Sequence, residues 1–174
     1  MNKIFEVTPK EIGRIILLKF TAFSLLVFLC LSILIGLTAL ILGDNDINFK
    51  AFYQNLLYEA SSNIIFLIIQ VVAVSFGIWT IGGYAGVLIL VKNKNKFKTG
   101  FYAILGLWAL LFISSALTGG LINSITYGLD GFSSSVKSWF IFGFYLYLLL
   151  GLIHALIGGY FVGKSILELD KKTN

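Results

Sequence analysis

Four stretches of the chain are apolar and free of charge, at roughly 20–42, 64–91, 101–122 and 139–163. Each reaches the ~20 residues that a helix needs to cross ~30 Å of hydrocarbon. A helix in a soluble bundle keeps a polar outer face, and these stretches keep none, so each is predicted to be a membrane-spanning helix. Short polar segments separate and flank them, at 1–19, 43–63, 92–100, 123–138 and 164–174. The pattern predicts an all-α integral membrane protein, a four-helix transmembrane bundle built as two helical hairpins. The first stretch has no small-x-small cleavage site and is read as a retained span rather than a secretory signal.

The basic residues set the expected orientation. Lys3, Lys10, Arg14 and Lys19 precede the first stretch; Lys92, Lys94, Lys96 and Lys98 fill the central segment; Lys164, Lys171 and Lys172 follow the last. Only Lys50 and Lys137 fall in the other two segments. Basic residues beside spans are retained in the cytoplasm, so the chain is expected to be N-in/C-in in the cell membrane, with 43–63 and 123–138 outside. The net charge of +5 lies in short segments between apolar stretches. That distribution does not make the continuous basic face that nucleic acid requires. Lys92, Lys94, Lys96 and Lys98 are instead expected to dock anionic inner-leaflet lipids or a partner, at ~1 kcal/mol per basic residue near the surface.

Finer patterns refine the picture. Thr8-Pro9-Lys10-Glu11 reads as a capping box with proline at the first helical position, flanked by a Val7–Ile12 staple. The first helix is therefore expected to begin near Pro9 and to project a cytoplasmic stub carrying Lys10, Arg14 and Lys19. Within 46–60, Phe49, Phe52, Tyr53, Leu56, Leu57 and Ala60 share one helical face, which predicts an outer interfacial amphipathic helix. Glycines and serines in 123–138 predict a flexible loop. Trp139, Phe140, Tyr145 and Tyr147 on the outer side, and Tyr84, Phe101, Tyr102 and Tyr160 on the inner, are placed for interfacial belts. Ile81-Gly82-Gly83-Tyr84 recurs as Ile157-Gly158-Gly159-Tyr160, an offset of 76 that suggests a parallel repeat of two hairpins.

Composition agrees with a lipid environment: mean hydropathy is +0.94 and charged residues are 12% of the chain, against about 25% in soluble domains. Abundant lysine, asparagine and isoleucine suggest a bacterial source. The lone Cys30 excludes an internal disulfide and a thiolate zinc site. The lone His154 excludes a multi-histidine metal site. No carboxylate lies at membrane depth and no nucleophile is spaced with a base, so neither an enzyme nor a bound cofactor is expected.

Small residues four apart mark close helix packing or oligomer contacts, notably Gly82 with Gly86 and the run Ala155, Gly159, Gly163. His154 is the titratable group at membrane depth and hence an intramembrane functional candidate. Gln70 is the residue placed to supply an interhelical hydrogen bond. With no soluble domain, the chain is expected to be a multi-pass accessory or interaction protein, such as a complex subunit, regulator or immunity component. Such a protein acts as a homo-oligomer or with a membrane-protein partner. The alternative is an oligomeric pore or small transporter, disfavoured because no span carries a periodic polar stripe.

Overall fold

The computed structural model describes residues 7–41 and 64–173. The predicted interfacial helix at 46–60 lies outside the described residues. Those described are helical apart from short connections, and none is in a strand. Helix α1 is Pro9–Ile41, and α2 is Ile64–Leu90, interrupted by a π-turn at Ile78–Gly82. The continuous helix Lys96–Ser138 reverses at Gly128, where φ is 66° and ψ −155°, so α3 comprises 96–127. Helix α4 comprises 129–173 and contains a second π-turn at Trp139–Gly143. Three stretches, Ile64–Leu90, Lys96–Ile125 and Tyr147–Lys172, are long and apolar enough to cross a membrane.

Neighbouring helices pack antiparallel around a ring, and α2 also touches α4 across it. Pro9 and Gly13 of α1 meet Gly86 and Gly82 of α2, and Lys96 and Gly100 of α3 meet Gly163 and Gly159 of α4. Gly77 lies on Leu107, joining α2 to α3, and Gly158 lies on Phe20, closing the ring from α4 to α1. The buried core lies in the half nearer Pro9 and Lys96, where Ile12, Leu17, Ile104, Val162 and Ile166 are almost wholly buried.

The two hairpins repeat each other, although not in the register of the tetrapeptides. Thr8 caps α1 and Asn95 caps α3, five residues before Gly13 and Gly100 respectively. The first helices are thus offset by 87 residues, and the second helices by 77, because Gly82/Gly86 and Gly159/Gly163 occupy equivalent places. Buried positions follow the same offsets: Ile16 with Ala103, Leu17 with Ile104, Ala85 with Val162 and Ile89 with Ile166. Matching the tetrapeptides at 76 would turn the glycine pair off the seam, since one residue rotates a helix by about 100°.

The start of α1 packs closely along α2. Ile12, Gly13, Ile16 and Leu17 are buried along α2, because glycines on both sides let the backbones touch over the first two turns. The capping box itself forms: Thr8 N–H donates to Glu11 Oε2 at 2.8 Å, and Glu11 N–H donates to Thr8 Oγ1 at 3.3 Å. Hydrogen bonds from the Thr8 backbone, then its hydroxyl, hold the Glu11 carboxyl below the ordinary glutamate value. A depressed folded value means that the cap is complete above the ordinary range and is lost as pH falls through the folded value. Corrected amide-exchange protection at 10–13 is therefore expected to drop below about pH 4, and Glu11→Gln to remove that dependence. Equal protection at pH 6 and pH 3 in the parent protein would refute it.

The segment 123–138, expected to be a flexible loop, is helical on both sides of Gly128. The combination of positive φ and strongly negative ψ there is open essentially to glycine alone. Beside the turn, Gly120 faces Phe132 and Val136, so α3 and α4 close within two turns of the reversal. Ser124 and Ser138 bond carbonyls of their own helices rather than loop partners. At the opposite end, Lys92 and Lys94 lie in the five-residue connection after Leu90, while Lys96 and Lys98 are already helical in α3. All four are exposed.

Candidate functional site

The polar side chains inside the ring are tied to one another across helices. His154 on α4 is half-buried and joins three helices. Trp108 Nε1–H of α3 donates to His154 Nδ1 at 2.9 Å, and Ser24 Oγ of α1 lies 2.9 Å from His154 Nε2. An indole nitrogen only donates, so Nδ1 must present its lone pair. The ring proton is then on Nε2 and points at Ser24 Oγ, which fixes a neutral tautomer. Phe20 stacks on the imidazole at 5.0 Å and an interplanar angle of 20°, covering one face. Gly151 lies against Trp108, leaving room for the indole to reach the histidine.

One heptad further along both helices, the pattern recurs. Ser115, seven residues after Trp108, meets the hydroxyl of Tyr147, seven before His154, at 3.3 Å. In an antiparallel pair, equal steps in opposite directions keep residues opposite each other, so the second pair follows from the first. Tyr147 also sits edge-on to Trp108 at 5.6 Å and to Trp139 at 6.0 Å. Trp139 and Tyr147 are therefore partly buried against neighbouring rings, whereas Phe140 and Tyr145 are exposed.

Gln70 joins α2 to α3, and its partner is Ser114 rather than His154. Ser114 Oγ lies 2.7 Å from Gln70 Oε1 and 3.0 Å from Leu111 O, while Gln70 Nε2 is buried without a partner. A single hydroxyl hydrogen cannot serve both oxygens fully. Turning the amide over lets Nε2 donate to Ser114 while Ser114 donates to Leu111, and it leaves an oxygen unpaired instead of two N–H groups.

Arg14 forms a fourth contact that its place among topology-setting charges did not suggest. Its guanidinium lies 3.4 Å from the centroid of Trp79, and Nε donates to Trp79 O at 3.0 Å. The π-turn makes this possible: Gly83 N–H bonds Thr80 O, so Trp79 O is released from its usual α-helical partner. Gly83 has no side chain where the guanidinium passes.

The predicted packing residues Gly82, Gly86, Gly159 and Gly163 all lie at backbone-to-backbone contacts within the chain, and Ala155 is fully buried in the core. Among the described residues, no three His, Cys, Asp or Glu side chains group as metal ligands. Sequence reading missed Ser24, Phe20, Trp108 and Tyr147 as partners of the site. The heptad spacing of Trp108 with Ser115 and of Tyr147 with His154 is the signal that could have found the last two. Compared with known protein families, curated proteins and solved structures, the chain matches none.

Proposed function

We propose that this protein is a four-span, N-in/C-in membrane protein that works as an accessory or interaction component, not as an autonomous pore or a catalyst. The observation that carries this reading is how the polar groups inside the ring are used. His154, Trp108, Ser24, Ser115 and Tyr147 bond one another, and below them a continuous apolar core fills the half nearer the lysines. Such an interior holds helices in register and leaves the outer surfaces to act. Exposed apolar faces on α1, α2 and α4 supply contact with lipid or with the spans of a partner or second copy. Lys92, Lys94, Lys96 and Lys98 supply a basic end for anionic lipid headgroups.

The test is ion and proton leak from liposomes containing the purified protein, beside the His154→Ala variant. Leak equal to that of empty liposomes is expected for both. Leak above that level which changes with His154→Ala overturns the proposal and favours the small oligomeric pore.

A further inference from the structure

At the end of the helices opposite Lys92–Lys98, α3 and α4 border a cavity of about 740 Å³ whose lining includes Asn123, Tyr127, Asp130, Ser135, Trp139 and Gly143. Its volume falls within the range of small-molecule sites, roughly 300–1,000 Å³. We propose that this cavity binds a small organic cation, with Asp130 as the counter-charge and the rings of Trp139 and Tyr127 as the cation-binding walls.

The tryptophan is held for such a role. Trp139 opens the π-turn Trp139–Gly143, and glycines from two helices lie against the pyrrole and benzo ends of its indole. A Cβ at Gly119 would lie 2.8 Å from Trp139 Nε1, and one at Gly143 2.8 Å from Cε3. Tyr147, itself bonded to Ser115, braces the ring edge-on from below. The indole is thus positioned before any ligand arrives, which lowers the ordering cost of binding.

The charge pattern selects the ligand. Among the described residues, Asp130 is the carboxylate lining the cavity, no lysine or arginine lines it, and no basic side chain pairs with Asp130. An anion would be repelled, whereas an ammonium gains both the carboxylate and the negative faces of the aromatic rings. Asn123 and Ser135 add polar contacts for a ligand that carries hydrogen-bonding groups. The other role open to Asp130 is that of a negative charge in the first turn of α4, favourable to the helix dipole. The two roles separate on binding.

The experiment is a saturation-transfer NMR titration of benzyltrimethylammonium against the full chain in phosphatidylcholine nanodiscs, with empty nanodiscs subtracted. Saturable binding is expected, weakened about tenfold by Asp130→Asn and by Trp139→Leu and unchanged by Glu168→Gln, which removes the same charge at the far end. Circular dichroism checks each variant for folding. Trp139→Phe, which keeps a smaller ring in the same slot, is expected to lose affinity by a few fold if the other variants do not fold. Absence of saturable binding, Asp130→Asn binding like the parent while losing only stability, or equal binding of the neutral N-benzylacetamide would each overturn the proposal.

Discussion

Valine at position 86 is expected to cost the fold about 3 kcal/mol, at the upper end of what overpacking does. A Cβ built on Gly86 falls on Pro9 O and lies 3.1 Å from Gly13 N, so the obstacle is backbone on a facing helix, not a side chain that can rotate away. Relief requires α1 and α2 to separate, which also loosens Ile12 and Leu17 from the core. The repeat gives this prediction a twin. Gly163→Val meets Lys96 O in the other hairpin and is expected to cost a similar amount. The two losses are expected to add only in part, because Ala85 and Ile89 beside one seam and Val162 and Ile166 beside the other share one buried cluster. Gly106→Ala is the control: its Cβ meets only the end of the Ile81 side chain, 3.2 Å away, and is expected to cost less than about 1 kcal/mol. Unfolding midpoints in a mild detergent decide the matter, and equal tolerance at 86, 163 and 106 would remove the glycine seams as the basis of the fold.

The second large effect is expected at His154, and it depends on which atom is replaced. Leucine there leaves the Trp108 N–H and the Ser24 hydroxyl without partners and removes the stack with Phe20. The expected cost is about 2 kcal/mol, since membrane hydrogen bonds average about 0.6 kcal/mol and unpaired buried donors cost more. Asparagine places its carboxamide oxygen near the position of Nδ1 and can accept from Trp108, so His154→Asn is expected to recover part of the loss. Glutamine reaches the position of Nε2 and keeps only the Ser24 contact. The same unfolding assay reads the order, parent above Asn and Asn above Leu. Indole fluorescence, compared against Trp108→Phe, reports whether the donor is paired. Asparagine behaving like leucine would mean that the Trp108 bond contributes little.

The repeat also shows where the halves diverge. By the two offsets, His154 corresponds to Gly77 and Phe20 to Leu107, and these counterparts touch each other as the originals do. Arg14 and Trp79 correspond to Phe101 and Leu156, which carry no charge. The shared skeleton of caps, glycines and buried aliphatics keeps the helices in place. The side chains capable of polar chemistry sit where that symmetry is broken.

Much of this was legible in the residues themselves. Charge-free runs of twenty or more residues dictate helices, because hydrocarbon offers no partner to a backbone left unpaired. Thr8 and Glu11 announce the start of α1 because capping is local, involving atoms three residues apart. The glycines announce close approach for the same kind of reason, since each marks a place with no side chain to fill. Tertiary structure decided what faces those places. It set the glycine register at offsets of 87 and 77, buried the beginning of α1 on α2, and folded 123–138 into a helical turn-back at Gly128. It also brought Ser24, Trp108 and His154 together from three helices. Periodicity along one helix specifies a face but not its partner, because the partner depends on how rigid helices rotate and slide until their backbones touch.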